Sequence, residues 1–165
     1  MAFGFGRKRN QFLGPGQPAP AFRLTSLEGA GRAREEILAG GPALLAFFKA
    51  SCPVCQFTLP FLERLAQGGS LRVIGVSQDD AKATARFSRE YELTFPMLLD
   101  ESSSGYATSN AFGITTVPSL FLLEGDGTVS YSGEGFGKRD LERLARRAGI
   151  ELFQPDDYVP EWKAG

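Results

Sequence analysis

The chain has 165 residues, enough for one domain with a sizeable core. Hydrophobic residues make up 42% and charged residues 22%, an ordinary globular balance, and 18 basic against 19 acidic side chains leave a net charge of −1. No excess of positive charge exists to displace counterions from phosphates, and no apolar run reaches the about 20 residues that span a bilayer, so neither nucleic acid nor a membrane is expected as a partner.

The basic triplet Arg7-Lys-Arg9 precedes Gln11-Phe-Leu-Gly-Pro-Gly-Gln-Pro18, which lacks the apolar stretch of a secretion signal. The triplet reads as a solvated tail, and the expected compartment is the cytoplasm. Residues 1–14 read as a flexible N-terminal arm, 15–150 as the domain and 151–165 as an irregular tail. Ala21–Leu27 alternates like a strand, Glu28–Gly31 is a turn, and Arg34–Ala39 is a short helix closed by Gly40-Gly41. The continuous apolar run Ala43–Phe48 predicts a strand buried on both faces. A helix follows from Cys52 to about Gln67, with Val54, Phe57, Phe61 and Leu65 on one stripe and Gln56, Glu63 and Arg64 outside it.

Leu71–Val76 is a second buried strand. Asp79 or Asp80 caps a helix reaching Tyr91, with Ala83, Phe87 and Tyr91 inward. Phe95–Leu99 is a short strand, Ser104–Phe112 a helix ended by Gly113, and Val117–Leu123 a strand with proline at its mouth. Gly125-Asp-Gly127 is a hairpin signal leading into Thr128–Ser132. Gly133-Glu-Gly-Phe-Gly137 reads as a flexible turn rather than a phosphate loop. Lys138–Ala148 is the last helix, and Trp162 in the tail is expected to dock onto the core. Alternating strands and helices predict an α/β architecture: a largely parallel sheet covered on both sides and finished by an antiparallel hairpin.

The chain has two cysteines, in Cys52-Pro-Val-Cys55, and no histidine. The pair stands where a buried strand passes into a helix N-terminus, whose exposed N–H groups and dipole favour a thiolate. Cys52 is thereby placed as a nucleophile, with Lys49 as an electrostatic helper. Cys55, one turn further in, can attack a mixed disulfide and release product. Pro53 gives up an N–H that the first turn leaves unpaired anyway. Two thiolates without histidine make half of a tetrahedral zinc site, so no metal is expected. Serine-hydrolase and Cys–His protease chemistry also fail for want of histidine.

Phe47-Phe-Lys-Ala-Ser-Cys-Pro-Val-Cys55, with Pro60 following, resembles the active-site segment of thioredoxin-like proteins. The Gly-Gln-Pro-Ala-Pro-Ala-Phe lead-in, Phe95-Pro-Met-Leu-Leu-Asp100 and Thr116-Val-Pro-Ser119 extend the likeness over roughly residues 15–150. In layout the chain resembles the TlpA/ResA-type thiol–disulfide oxidoreductases, grouped with redoxin and AhpC/TSA domains. The resemblance implies a thioredoxin fold: a mostly parallel or mixed sheet, helices on both faces, an N-terminal extension and a helical insertion. It further implies a cis peptide bond at Pro118 facing the cysteines and pairing of the Val117 backbone with substrate. Pro53 and Val54 would join these in substrate binding, with no cofactor. Implied partners are protein or small-molecule thiols and disulfides, and a reductase of unidentified kind.

Three positions depart from the pattern. Ala46 stands where thioredoxins carry a buried Asp, Thr58 where TlpA/ResA-type members often carry Glu, and Ser51 where Trp is usual. Both familiar proton acceptors for Cys55 are therefore missing. Two other functions compete with disulfide exchange. A peroxiredoxin-like peroxidase would use Cys52, although Lys49 and Leu45 occupy the positions where peroxiredoxins hold Thr or Ser and Pro. A non-enzymatic redox-sensing or partner-binding module would use the same fold.

Overall fold

The computed structural model describes residues 10–165. In chain order its main elements are β1 (Arg23–Ser26), β2 (Gly31–Ala33), α1 (Arg34–Leu38), β3 (Ala43–Phe48), α2 (Pro53–Gly68), β4 (Arg72–Ser77), α3 (Ala81–Glu90) and β5 (Met97–Leu99). There follow α4 (Ala107–Ala111), β6 (Ser119–Leu123), β7 (Val129–Glu134), β8 (Phe136–Gly137), α5 (Lys138–Ala148) and β9 (Trp162–Lys163). Seven strands form one sheet in the order β2-β1-β5-β4-β3-β6-β7, and β8 pairs with β9 in a separate ribbon.

The sheet is mixed rather than largely parallel. Parallel pairing joins β3 to β4 and β4 to β5, the two connections that carry a crossover helix, α2 and α3. The pairs β1–β2, β1–β5, β3–β6 and β6–β7 are antiparallel.

β3 sets the layering. All six of its residues are fully buried, and alternate side chains serve opposite faces. Leu44, Ala46 and Phe48 join Leu59 and Leu62 of α2, Phe87 of α3 and Leu141 and Leu144 of α5 in one core. Ala43, Leu45 and Phe47 join Ile37 and Leu38 of α1 and Phe112 beside α4 in the other. The Phe47, Phe112 and Phe121 rings interlock at centroid distances of 4.9–5.7 Å. Burying each such ring is worth roughly 2–3 kcal/mol. The strand that leads into Cys52 is thus clamped from both sides.

Several expectations need correction. The helix foreseen over 104–112 is divided. A short 3-10 turn, Ser102–Ser104, is separated from α4 by Gly105 and Tyr106, both with positive φ. The cause is Asp100, whose buried carboxylate accepts the N–H groups of Thr108 and Ser109 and the Ser109 hydroxyl at 2.6–3.2 Å, fixing the helix start at Ala107. In α3 it is Thr84, not Ala83, that is fully buried beside Phe87, and its hydroxyl meets that of Ser77 at 2.6 Å. The glycine-rich 133–137 segment is no flexible turn, because it carries the fully buried Phe136. Trp162 does not dock; it is 62% exposed while its backbone pairs with Gly137.

Residues 10–14, foreseen as part of a mobile arm, lie on the sheet. The Phe12 ring sits 4.9 Å from that of Phe121, and the Leu13 N–H donates to the Phe112 carbonyl. Residues 1–9, with the basic triplet, lie outside the described residues.

Glu63, placed outside the apolar stripe by periodicity, is only 8% exposed. Its carboxylate accepts from Thr94 N–H at 2.8 Å, the Thr94 hydroxyl at 2.6 Å, Phe95 N–H at 3.3 Å and the Gln67 amide at 2.8 Å. It pins α2 to the chain entering β5. Burial works against its charge, yet the hydrogen bonds from Thr94, Gln67 and Phe95 outweigh burial and hold the carboxyl below its ordinary range.

Candidate active site

β3 ends at Phe48, and four residues later the chain turns into α2 at Cys52, which adopts an extended N-cap conformation. The Cys52 sulfur accepts the Cys55 N–H at 3.2 Å, taking up one of the donors that a helix start leaves unpaired. Pro53 follows as the first helical residue. Cys52 is partly exposed, Cys55 is fully buried, and both are free thiols. Burial first, then the hydrogen bond with Cys52, pushes the Cys55 thiol far above its ordinary range; the charges of Cys52 and Asp79 act in the same direction.

The loop ahead of Cys52 is tied down at Ala50. Its N–H donates to Asp79 Oδ2 at 2.7 Å, and its carbonyl accepts from the Gln56 side chain at 2.9 Å. Asp80, not Asp79, caps α3 by accepting the Ala83 N–H at 2.8 Å. Of two adjacent aspartates one caps the helix, and the other is free to reach back under the cysteine loop. That doublet was the available signal for Asp79. Ala46 is buried in β3, and Thr58 is fully buried with its hydroxyl unpartnered among the described residues.

On the opposite wall, the Val117–Pro118 peptide bond is cis. The Cys52 thiol donates to the Val117 carbonyl at 3.4 Å, which brings the cysteine loop and this turn together. Pro118 is buried, and β6 begins at the next residue. An open pocket of about 510 Å³ lies beside Cys52, lined by Lys49, Pro53, Tyr106, Asn110, Thr115 and Val117 among others. The Lys49 ammonium stands 6.0 Å from the centre of the Tyr106 ring. Val54 is not among the lining residues and packs against the α2 core instead.

Sequence reasoning missed Tyr106 and Asn110, which reach the pocket from the interrupted α4 region, and Gly165 from the final segment. Among the described residues, no three His, Cys, Asp or Glu side chains converge to hold a metal ion. None of the described helices is long and apolar enough to cross a membrane.

A partly exposed cysteine at a helix head, a buried cysteine one turn behind it and a cis-proline turn against the first define a thioredoxin-like redoxin with a Cys-x-x-Cys pair. The chain belongs to the AhpC/TSA family, whose model matches residues 15–132. It is 30% identical over 122 residues to the thiol:disulfide interchange protein DsbE of Yersinia pestis, a match covering 73% of this chain and 64% of that protein. It is 29% identical over 121 residues to the thiol-disulfide oxidoreductase ResA of Geobacillus thermodenitrificans, covering 69% of this chain and 66% of the relative. The chain thus spans less than two thirds of the DsbE protein's own length. The thioredoxin domain of a thiol-disulfide oxidoreductase from Bacteroides vulgatus shares the fold, with a TM-score of 0.71 at 19% identity over 82% of this chain and 97% of that one.

Proposed function

We propose that the protein is a thiol–disulfide oxidoreductase that exchanges a Cys52–Cys55 dithiol or disulfide with protein or small-molecule thiols and disulfides. The observation that carries this reading is the division of labour between the two sulfurs. Cys52 is partly exposed and receives the Cys55 N–H, while the Cys55 thiol is buried immediately behind it. The names of the DsbE and ResA relatives support the same chemistry.

In the reducing direction the Cys52 thiolate attacks one sulfur of a substrate disulfide. A Cys52–substrate disulfide forms and the first substrate thiolate departs, to be protonated by water. Cys55 then gives up its proton and attacks the Cys52 sulfur, forming the Cys52–Cys55 disulfide and expelling the second thiolate, which takes a proton. Two electrons pass from the chain to the substrate, and a reducing dithiol returns the chain to its starting state. The same steps in reverse oxidise a substrate dithiol. Lys49, on the rim of the pocket, adds positive charge on the side from which an anionic thiolate approaches or leaves. Pro53 and Val117 shape the surface around Cys52, with Pro118 buried directly behind Val117.

The competing peroxidase would have Cys52 attack peroxide to give a sulfenic acid and water. Rapid mixing with oxidised glutathione and with hydrogen peroxide, followed by acid quench and thiol-trapping mass spectrometry, separates the two. The expected outcome is a Cys52–Cys55 disulfide formed with glutathione, and peroxide oxidation no faster than that of free cysteine. Oxidation of Cys52 by peroxide within the mixing time, with glutathione leaving both thiols reduced, would overturn the proposal. Thiols inert to both reagents would leave a binding module.

A further inference from the structure

We propose, building on the exchange reading, that residues 160–165 form a strap across the substrate groove that determines specificity. With the strap in place the site serves small-molecule disulfides and thiols; an extended polypeptide must displace it to reach Cys52.

The strap is held at its start and along its length. Before it, Leu152 is buried in the α2 core, Phe153 packs on Phe61 at 5.1 Å, and Arg64 grips the Asp157 carboxylate through both terminal guanidinium nitrogens at 2.6 and 3.1 Å. Along it, the Glu161 carbonyl accepts the Lys138 N–H at 3.0 Å, and β9 pairs with β8. The Lys163 ammonium lies over Phe57 of α2 and over Tyr158, at 5.3 and 5.8 Å from the ring centres.

Two glycines allow the strap to come this close. A β-carbon on Gly135 would overlap the Lys163 carbonyl oxygen. A β-carbon on Gly165 would overlap the Val117 carbonyl oxygen and stand 2.9 Å from the Thr116 hydroxyl. Backbone therefore meets backbone at Val117, the residue whose carbonyl also receives the Cys52 thiol.

A peptide delivering a disulfide to Cys52 in extended form needs main-chain partners, and the backbone nearest Cys52 on that wall is Val117. Gly165 already stands against it. The pocket that Gly165 and Val117 line together with Lys49, Tyr106 and Asn110 stays open with the strap in place, and its size of about 510 Å³ suits a small ligand. The Lys49 ammonium in its lining fits an anionic thiol such as glutathione.

The test compares reduction of insulin with reduction of oxidised glutathione in the wild type, in a chain lacking 160–165, and in Gly135→Asn. Asparagine tolerates the left-handed φ of 69° at that position while its side chain pushes Lys163 away. Both variants are expected to raise the insulin-to-glutathione rate ratio by about tenfold, the release of a weak intrachain competitor. A second measurement reads the strap without turnover. In Cys55→Ser, Cys52 is loaded with glutathione or with a cysteine-containing decapeptide through activated disulfides, and hydrogen exchange of 160–165 is followed. Protection is expected with glutathione and its loss with the peptide. An unchanged rate ratio in both variants, or equal protection in both adducts, overturns the strap. A wild type that reduces neither disulfide overturns the exchange reading instead, and the adduct experiment still decides the strap.

Discussion

Cys52→Ser abolishes exchange: the rate with oxidised glutathione is expected to fall by at least about a thousandfold, because a hydroxyl supplies no thiolate at neutral pH. Cys55→Ser behaves differently. Its partly exposed Cys52 sulfur still attacks, so a Cys52–glutathione adduct accumulates in a stoichiometric first turnover, and turnover stops there. The asymmetry follows from position, since Cys52 is partly exposed and Cys55 is fully buried. The wild type adds a pH signature. Burial raises the Cys55 thiol far above its ordinary range, so the reactive thiolate of Cys55 is a minor species at neutral pH. The resolving step is therefore expected to accelerate with pH through the neutral and alkaline range without a plateau. Quenched-flow trapping of the mixed disulfide measures it. Equal loss of the first step in both variants would contradict the assignment of roles.

The second large effect concerns stability. Glu63→Ala removes the acceptor of Thr94 N–H and Phe95 N–H and leaves these donors without the partner that joins α2 to β5. A cost of about 3 kcal/mol is expected from charge-assisted hydrogen bonds lost in a buried setting, read from urea midpoints. The pH dependence has a defined sign. The folded carboxyl titrates below its unfolded value, near the usual 4.3 or so for Glu. Its contribution is fully present above that unfolded value and disappears as pH falls through the lower, folded one. The gap between wild type and Glu63→Gln should thus be widest near neutrality and shrink in acid. A gap independent of pH would mean that the carboxylate is not the stabilising species.

Glu63 also marks where the sequence stops being legible. Periodicity assigns it to the solvent side of α2, because nothing local announces that Thr94 and Phe95, 31 and 32 residues on, bring donors to it. Asp100 is a similar case: it caps α4 from eight residues upstream and splits an apparently continuous helix at Gly105 and Tyr106. Where a signal is local, the sequence reads well. Six consecutive apolar residues make β3, Leu141, Leu144, Ala145 and Ala148 on one face make α5, and Cys-Pro-Val-Cys at a strand-to-helix junction marks the reactive pair. The cis bond at Pro118 was accessible through family resemblance alone, as X–Pro bonds are overwhelmingly trans. The 151–165 segment carries no periodicity, and its path is set by contacts with distant groups: Asp157 with Arg64, Lys163 with Phe57 and Gly165 with Val117. The part of the site that composition and spacing left out is therefore the part built by long-range packing.

The most direct test of the central claim is an equilibrium redox titration of the wild-type chain against glutathione, with thiol-trapping mass spectrometry reporting Cys52 and Cys55 separately. The account predicts a single two-electron transition in which both cysteines lose reactivity together and a Cys52–Cys55 disulfide appears. Stable glutathione adducts on Cys52 with Cys55 still a free thiol, and no intramolecular disulfide at any buffer composition, would contradict it.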